Sequence, residues 1–280
     1  YLVYLAPMWK EFFSFVSADS LRGVAGVSNV GNDANWCGHP FSQANWYAFG
    51  RLAWDPSLTS KAIAQEWLKM TFEESSNRYF YDSMTSVMER SREVCVDYMM
   101  PLGLHHIFKF DHHYGPEPNG FKAEYPIDWC PVYYHKADSL GVGFDRSSKG
   151  TGAVGQYREP YRSLYDNLST CPEQYLLWFH HVAWNYRMKN GKTLWDNLCA
   201  RYTRGVKAVE TTLMTWKLMR SIFVDDCDED RWNEVDSLLT IQLGNAQEWK
   251  DVCLDYFHQF SHMPLPAEGE CTVAPVATRE

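Results

Sequence analysis

The chain has 280 residues, 45% of them hydrophobic and 22% charged, so it is a globular sequence long enough for one large domain or two small ones. Its net charge is −9 and it contains no run of lysine and arginine, which excludes the basic surface of a nucleic-acid-binding protein. No apolar run approaches the roughly 20 residues of a membrane-spanning helix, so we expect neither nucleic acid nor membrane as a partner.

The aromatic content is high. Twelve Trp, 17 Tyr and 15 Phe make up 16% of the chain. One interpretation is a large aromatic core, because these rings bury much apolar area. The other is a sugar-binding site, because flat rings stack on the apolar faces of pyranoses.

Eight cysteines are widely spaced and none forms a CxxC pair, so the sequence predicts no zinc site and no other metal site. Most of them fall within apolar helical patterns, where a reduced cysteine behaves as a small hydrophobic residue. We therefore expect reduced, structural thiols, and a cytoplasmic or periplasmic protein.

The first 56 residues alternate between strand and helix patterns. Residues 1–8 and 21–30 are apolar runs typical of buried strands, and the segment that follows places Phe41, Ala44, Ala48 and Leu52 on one helical face. This order predicts an α/β barrel or a doubly wound sheet. Two strands cannot close a barrel, and bare strand edges favour aggregation, so we expect the chain to begin in mid-fold.

After Pro56 the patterns become helical. Helices are predicted over residues 58–72 and 79–100, followed by a non-periodic region rich in Pro, Gly and aromatic residues over 101–168. A further helix is predicted over EQYLLWFHHVAW, residues 173–184, and two long amphipathic helices come after it. The tail from Ala267 has no core pattern, and we expect it to be mobile.

A polar segment with one Trp follows the second predicted strand and comprises Asn32, Asp33, Asn35 and Trp36. The carboxyl ends of barrel strands gather binding and catalytic groups, so these residues are candidates for substrate binding. The alternative is that Asp33 and Asn35 bond the loop backbone and cap the next helix.

The loop segment Asp111–Gly115 contains His112, His113 and Tyr114. Adjacent histidines in an extended segment point apart, so they make a poor pair of metal ligands. We expect structural or sugar-contacting roles for these three residues.

The same loop carries two aromatic clusters, Tyr125–Trp129 and Pro131–Lys136. They either pin the loop to the helical domain or form one wall of a ligand pocket. Glycosidases need two carboxyl groups that flank the scissile bond. No pair of acids here has a diagnostic spacing, so the sequence identifies no catalytic residue.

Several long strings resemble the xylan α-glucuronidases of glycoside hydrolase family 67, from residue 1 to about Pro266. They are VYLAPMWKEFF, GVSNVGNDANWCGHPFSQANWYAFGRLAWDP, HHYGPEP, WCPVYYHKADSLGVGFDRS and PEQYLLWFHHVAWNYRMKNGKTLWDNLCARYTRGV. The resemblance implies a mainly α chain: the last two βα units of a (β/α)8 barrel over 1–78, a large all-helical C-terminal domain over 79–266 and a tail over 267–280.

The resemblance also implies an inverting enzyme that removes α-1,2-linked glucuronic acid, or its 4-O-methyl ether, from xylooligosaccharides. It implies that the enzyme needs no metal or organic cofactor and forms a homodimer. It also implies that a missing N-terminal part holds the catalytic carboxylates. Trp129 matches a tryptophan that contacts the sugar methyl ether in the family. A different reading stays open, in which the chain is a non-catalytic helical module for dimerisation or sugar binding.

Overall fold

A computed structural model gives the fold and describes residues 25–27, 37–110, 114–223 and 229–266. Most of the predicted strands at 1–8 and 21–30, and the predicted tail at 267–280, lie outside these residues. The two βα units of a barrel therefore stay a prediction.

The described residues are mainly helical, as predicted. Their α-helices are α1 (Pro40–Trp54), α2 (Ser60–Thr71), α3 (Arg78–Met99), α4 (Pro131–His135), α5 (Tyr161–Asp166), α6 (Leu176–Phe179), α7 (Leu194–Phe223) and α8 (Glu229–Ser261). Two short strands, β1 (Gly141–Val142) and β2 (Val182–Ala183), pair antiparallel. Short 3-10 turns link several helices, and among them is Ile127–Trp129.

The helix predictions before residue 101 are confirmed, and local signals explain the bounds. Pro40 opens α1, whose residues Ala44, Ala48 and Leu52 are fully buried. The Thr59 hydroxyl accepts a hydrogen bond of 3.1 Å from the backbone N–H of Ala62 and so caps α2. The sequence therefore places these helices correctly to within about two residues.

The predicted helix over residues 173–184 is wrong in its second half. Helix α6 ends at Phe179, and His180 has extended backbone angles of φ −133° and ψ 145°. Val182 then pairs with Val142 across the two-stranded sheet. Pairing with a strand 40 positions earlier overrides the local helical pattern, and a β-branched residue suits that strand.

The chain divides into two compact units. Among the described residues, the helical unit comprises 25–27, 37–94, 210–223 and 229–241, and the loop-rich unit comprises 95–110, 114–209 and 242–266. The domain boundary predicted at residue 78 stays a prediction.

The helical unit has an aromatic core. Trp216 and Trp232 are buried, and their rings stack with centroids 4.2 Å apart. The Trp216 indole N–H donates a 3.2 Å hydrogen bond to the Trp232 carbonyl oxygen. Phe72 and Phe80 lie beside them, with ring centroids 5.5 Å apart. The composition predicted a large aromatic core, and this unit has one.

The loop-rich unit buries large rings as well. Trp195, Tyr202 and Phe257 are fully buried within it. Gly205 of α7 lies against α3 so closely that a Cβ atom there would be 2.5 Å from the backbone nitrogen of Tyr98. The carboxylate of buried Asp97 accepts hydrogen bonds from Arg201 and Arg204. The close approach at Gly205 and the ion pairs of Asp97 thus both determine how α3 packs against α7 within this unit.

Six cysteines among the described residues carry reduced thiols, and four of them are buried. Burial raises the pKa of Cys171 and of Cys253 to about 12. Both thiols therefore stay protonated and unreactive at neutral pH.

Candidate functional site

A cavity of about 400 Å³ lies within the loop-rich unit. That volume falls in the range of small-molecule sites, roughly 300–1,000 Å³. Rings dominate its lining: His106, Phe108, Phe110, Tyr125, Trp129 and Tyr134. Lys109, Asp128 and Pro131 complete it. Such a lining can hold a flat, partly apolar molecule and place a few polar groups around it.

One wall of the cavity is a stack of three rings. The centroids of Phe110 and Tyr125 are 5.6 Å apart with the planes 17° from parallel, and those of Tyr125 and Trp129 are 5.9 Å apart at 26°. The ammonium group of Lys122 lies 4.7 Å from the Phe110 centroid. Trp129 ends the stack and is 58% exposed. Its indole is therefore available to a ligand, although Tyr125 covers part of it.

The exposure of Trp129 follows from the local backbone. Ile127–Trp129 form a 3-10 turn, in which the N–H of Trp129 donates 2.9 Å to the Pro126 carbonyl oxygen. The next residue, Cys130, is fully buried and its N–H donates 3.0 Å to the Ile127 carbonyl oxygen. With Cys130 anchored in the core, the turn projects Trp129 outward.

Another side of the cavity is formed by an extended segment, residues 106–110, and by α4. His106 has a left-handed backbone with φ of 54°, and its ring lies 4.5 Å from that of Tyr134. Residues other than glycine seldom adopt this conformation, which is typical of turns and functional sites. The Tyr134 hydroxyl donates 2.9 Å to the Asp128 carbonyl oxygen, and burial raises the pKa of this phenol. It is therefore a hydrogen-bond donor at neutral pH.

The extended segment is bonded to residues 115–117. Phe108 pairs with Pro116, the N–H of Lys109 donates 3.0 Å to the Gly115 carbonyl oxygen, and the N–H of Phe110 donates 3.0 Å to the Glu117 carboxylate. These bonds fix the segment that presents Phe108, Lys109 and Phe110 to the cavity.

The predicted site residues fall into three groups. Trp129 lines the cavity. Tyr114 is described but lies outside the lining, and its hydroxyl accepts a 2.7 Å hydrogen bond from the side-chain amide of Asn245 on α8. The others, Asn32, Asp33, Trp36, His112 and His113, lie outside the described residues. Their roles in binding stay predictions.

Two members of the predicted pocket wall have other positions. His135 is buried, and its imidazole stacks edge-on against Phe257 of α8 with centroids 5.4 Å apart. The ammonium group of Lys136 lies 5.3 Å from the Tyr133 ring centroid. Neither residue lines the cavity.

His106, Phe108 and Phe110 line the cavity but were not among the predicted site residues. Their spacing of two residues is the signal, because successive side chains of an extended segment point to opposite sides. Ile107, between the first two, is fully buried. The string HHIFKF thus predicts a segment with a ring-bearing face and a core-bearing residue.

No group of three His, Cys, Asp or Glu side chains in the described part of the chain is arranged to hold a metal ion. In that same part, every helix is too short or too polar to cross a bilayer.

Comparisons with known proteins agree with the resemblance. The family model described as the C-terminus of glycosyl hydrolase family 67 matches residues 37–270. Alpha-glucuronidase A of Emericella nidulans is 35% identical over 94% of the chain and 32% of its own length. A probable alpha-glucuronidase A of Aspergillus oryzae is 32% identical over 93% of the chain and 32% of its own. Alpha-glucuronidase A of Aspergillus tubingensis is 30% identical over 94% of the chain and 32% of its own length.

These matches define a glycoside hydrolase chain. It belongs to family 67 and corresponds to the C-terminal part of that family. It spans about a third of the length of the curated relatives it matches.

Proposed function

We propose that the chain is the C-terminal part of an inverting α-glucuronidase. The complete enzyme would remove α-1,2-linked glucuronic acid, or its 4-O-methyl ether, from xylooligosaccharides. The relatives are named alpha-glucuronidases, and the chain aligns with about a third of each. The observation that carries a role for this part is the cavity, with its stack of rings ending in exposed Trp129.

The cavity suits one face of a pyranose. The C–H groups of a sugar ring are apolar on one face, and the indole of Trp129 offers a flat surface of matching character. The charged groups of Lys109 and Asp128 lie in the same lining and can meet sugar oxygens. These residues bind and orient the sugar, and none of them is proposed to move a proton.

The chemical step is assigned to residues outside this chain. Inversion needs a general acid and a carboxylate that activates water on the opposite face of the sugar. We place both upstream, in the barrel whose last two βα units would be residues 1–78. Helices α1 and α2 in this range are consistent with the helices of such units. The missing N-terminal part is therefore a partner that the activity requires.

A comparison of the 280-residue chain with the complete enzyme tests the proposal. Both are assayed on aldouronic acid for release of 4-O-methylglucuronate. The complete enzyme is expected to be active and the chain inactive. Release of 4-O-methylglucuronate by a clean preparation of the chain would contradict the proposal that the catalytic residues lie outside it.

We also propose that the helical C-terminal domain over residues 79–266 supports a homodimer. The interface cannot use the indoles of Trp216, Trp232 and Trp249, because all three are buried within the chain. Another stripe on α7 is exposed instead: Met214 by 61%, Leu218 by 47% and Ile222 by 52%. The spacing of four residues puts these side chains on one helical face.

A second copy is the proposed occupant of this stripe, and a stable interface would bury at least about 1,000 Å². Sedimentation at tens of micromolar should give a dimer, and Leu218→Asp should give a monomer. Lys217→Asp is the matched control, because Lys217 is exposed on the same helix but lies about 100° around the helix axis from the stripe. A monomeric parent protein would reject the dimer.

The alternative is a non-catalytic sugar-binding module, in which the cavity and the exposed indole of Trp129 would bind a sugar without the upstream part. Titration calorimetry of the 280-residue chain with 4-O-methylglucuronic acid separates the two. Binding that the complete enzyme does not improve would favour the module, whereas binding that requires the upstream part favours the enzyme.

A further inference from the structure

The peptide group between Asp128 and Trp129 is held at both of its ends. Its N–H donates 2.9 Å to the Pro126 carbonyl oxygen, and its carbonyl oxygen accepts 2.9 Å from the Tyr134 hydroxyl. In a continued 3-10 turn that oxygen would accept from the residue three positions later. That residue is Pro131, which has no N–H. Among the described residues, Tyr134 supplies the donor that the turn lacks.

The ring of Tyr134 is itself held by contacts with neighbouring rings. It lies 4.5 Å from the His106 ring and stacks at 6.4 Å and 19° on Trp178. The guanidinium group of Arg146 covers Trp178 at 3.7 Å from the ring centroid and donates 2.6 Å to its carbonyl oxygen. These contacts thus restrict the position of the Tyr134 hydroxyl.

Trp129 has far less support of its own. Its side chain is 58% exposed, and Tyr125 stacks on it at 5.9 Å. The direction of the indole therefore depends on the backbone of the turn, and the Asp128–Trp129 peptide group determines that backbone.

We propose that Tyr134 is a positioning residue, which orients Trp129 for contact with the sugar through the Asp128 carbonyl oxygen. This role rests on the proposed function of the cavity. The inference itself concerns only geometry: the phenol hydroxyl fixes the backbone of the 3-10 turn, and this backbone determines the direction of the indole.

Kinetics of the complete enzyme test the role with Tyr134→Phe, which removes only the hydroxyl. Tyr133→Phe is the matched control, because the neighbouring hydroxyl makes no hydrogen bond to a described residue. For methylated aldouronic acid, Tyr134→Phe should raise KM about fivefold, the equivalent of one ordinary hydrogen bond, and leave kcat unchanged. Tyr133→Phe should change KM by less than about twofold.

A double-mutant cycle shows whether Tyr134 acts through Trp129. In the Trp129→Ala background, Tyr134→Phe should have no further effect on KM. The same rise in KM in both backgrounds would overturn the positioning role.

A readout without substrate keeps this inference separate from the proposed function. The protein is labelled with 5-fluorotryptophan, and Trp129→Phe assigns the Trp129 fluorine signal. Tyr134→Phe should shift or broaden that signal, and Tyr133→Phe should not. An unchanged signal in Tyr134→Phe overturns the inference. A changed signal, with kinetics that Trp129→Ala leaves intact, supports the positioning and rejects the sugar contact.

Discussion

The imidazole of His135 donates from Nε2 to the carbonyl oxygen of Pro118 at 2.6 Å, and the histidine is 1% exposed. Its Nδ1 accepts 3.0 Å from the N–H of Ala137. Both ring nitrogens are thus used by a neutral imidazole, and a second proton would remove the acceptor. Burial lowers the pKa of His135 to about 4.

This arrangement predicts acid sensitivity. The folded pKa of His135 is about 4 and the ordinary value is 6.5, so its stabilising effect is complete above 6.5 and is lost as the pH falls towards 4. The full loss is about 3 kcal/mol, since one pKa unit equals about 1.4 kcal/mol. Denaturant unfolding of the chain between pH 7.5 and pH 4.5 measures it.

His135→Gln is the reference variant for that experiment, because its amide can donate from a similar position but does not titrate. Burial also lowers the pKa of His39, His105 and His180, so part of the acid sensitivity is common to both proteins. The difference between them reports His135. Parallel loss of stability in the two would show that His135 contributes nothing.

The buried and the exposed ion pair of α3 are predicted to contribute very different amounts to stability. Asp97 is 3% exposed at its side chain and faces Arg201 and Arg204, and burial raises its pKa while the two guanidinium groups oppose that rise. Asp97→Asn leaves the two cations without a counter-ion and should cost about 3 kcal/mol of unfolding free energy.

Asp82→Asn on the same helix is the control. Its partner Arg78 is one turn away and both side chains are more than half exposed, at 51% and 86%. The expected cost is below about 0.5 kcal/mol. Urea unfolding of both variants gives the comparison, and similar costs would contradict a special role for the buried pair.

Two helical glycines should respond in opposite directions to alanine. A Cβ at Gly205 would lie 2.5 Å from the Tyr98 nitrogen, whereas one at Gly244 on α8 meets nothing within 4 Å. Gly244→Ala should therefore stabilise the chain by up to about 1 kcal/mol through helix propensity. Gly205→Ala should destabilise it, because α3 and α7 must separate locally. Melting temperatures of the two variants decide, and a gain at both positions would contradict the close contact.

The sequence predicts the long helices well and the cavity poorly, for a physical reason. Periodic burial of Ala44, Ala48 and Leu52 is a local property, so α1 can be located from its own residues. The extended stretch at Val182 depends on pairing with Val142, which no local pattern contains. The cavity likewise joins Phe110 to Trp129 across a non-periodic loop. Trp129 was predicted from the resemblance and from its loop, and Tyr125 and Tyr134 belong to the aromatic clusters predicted as a pocket wall, whereas the stacking of Phe110 on Tyr125 is seen only in the folded chain.

Trp129 should discriminate between methylated and plain glucuronic acid in the complete enzyme. Burying a methyl group against the indole is worth roughly 1 kcal/mol, or about fivefold in affinity. Trp129→Ala should raise KM for the methylated substrate about fivefold more than for the plain one, and kcat should hardly change because the ring carries no proton.

The matched control for Trp129→Ala is Trp54→Ala, since Trp54 is 87% exposed at the end of α1 in the helical unit. It should alter neither substrate's KM. If Trp129 merely anchors its loop through Tyr125, Trp129→Ala would instead harm both substrates equally and lower the melting temperature. Steady-state kinetics on the two substrates, with melting curves of both variants, separate these outcomes. Because Trp129 is largely exposed and its turn is held by backbone hydrogen bonds, we expect the substrate-selective result.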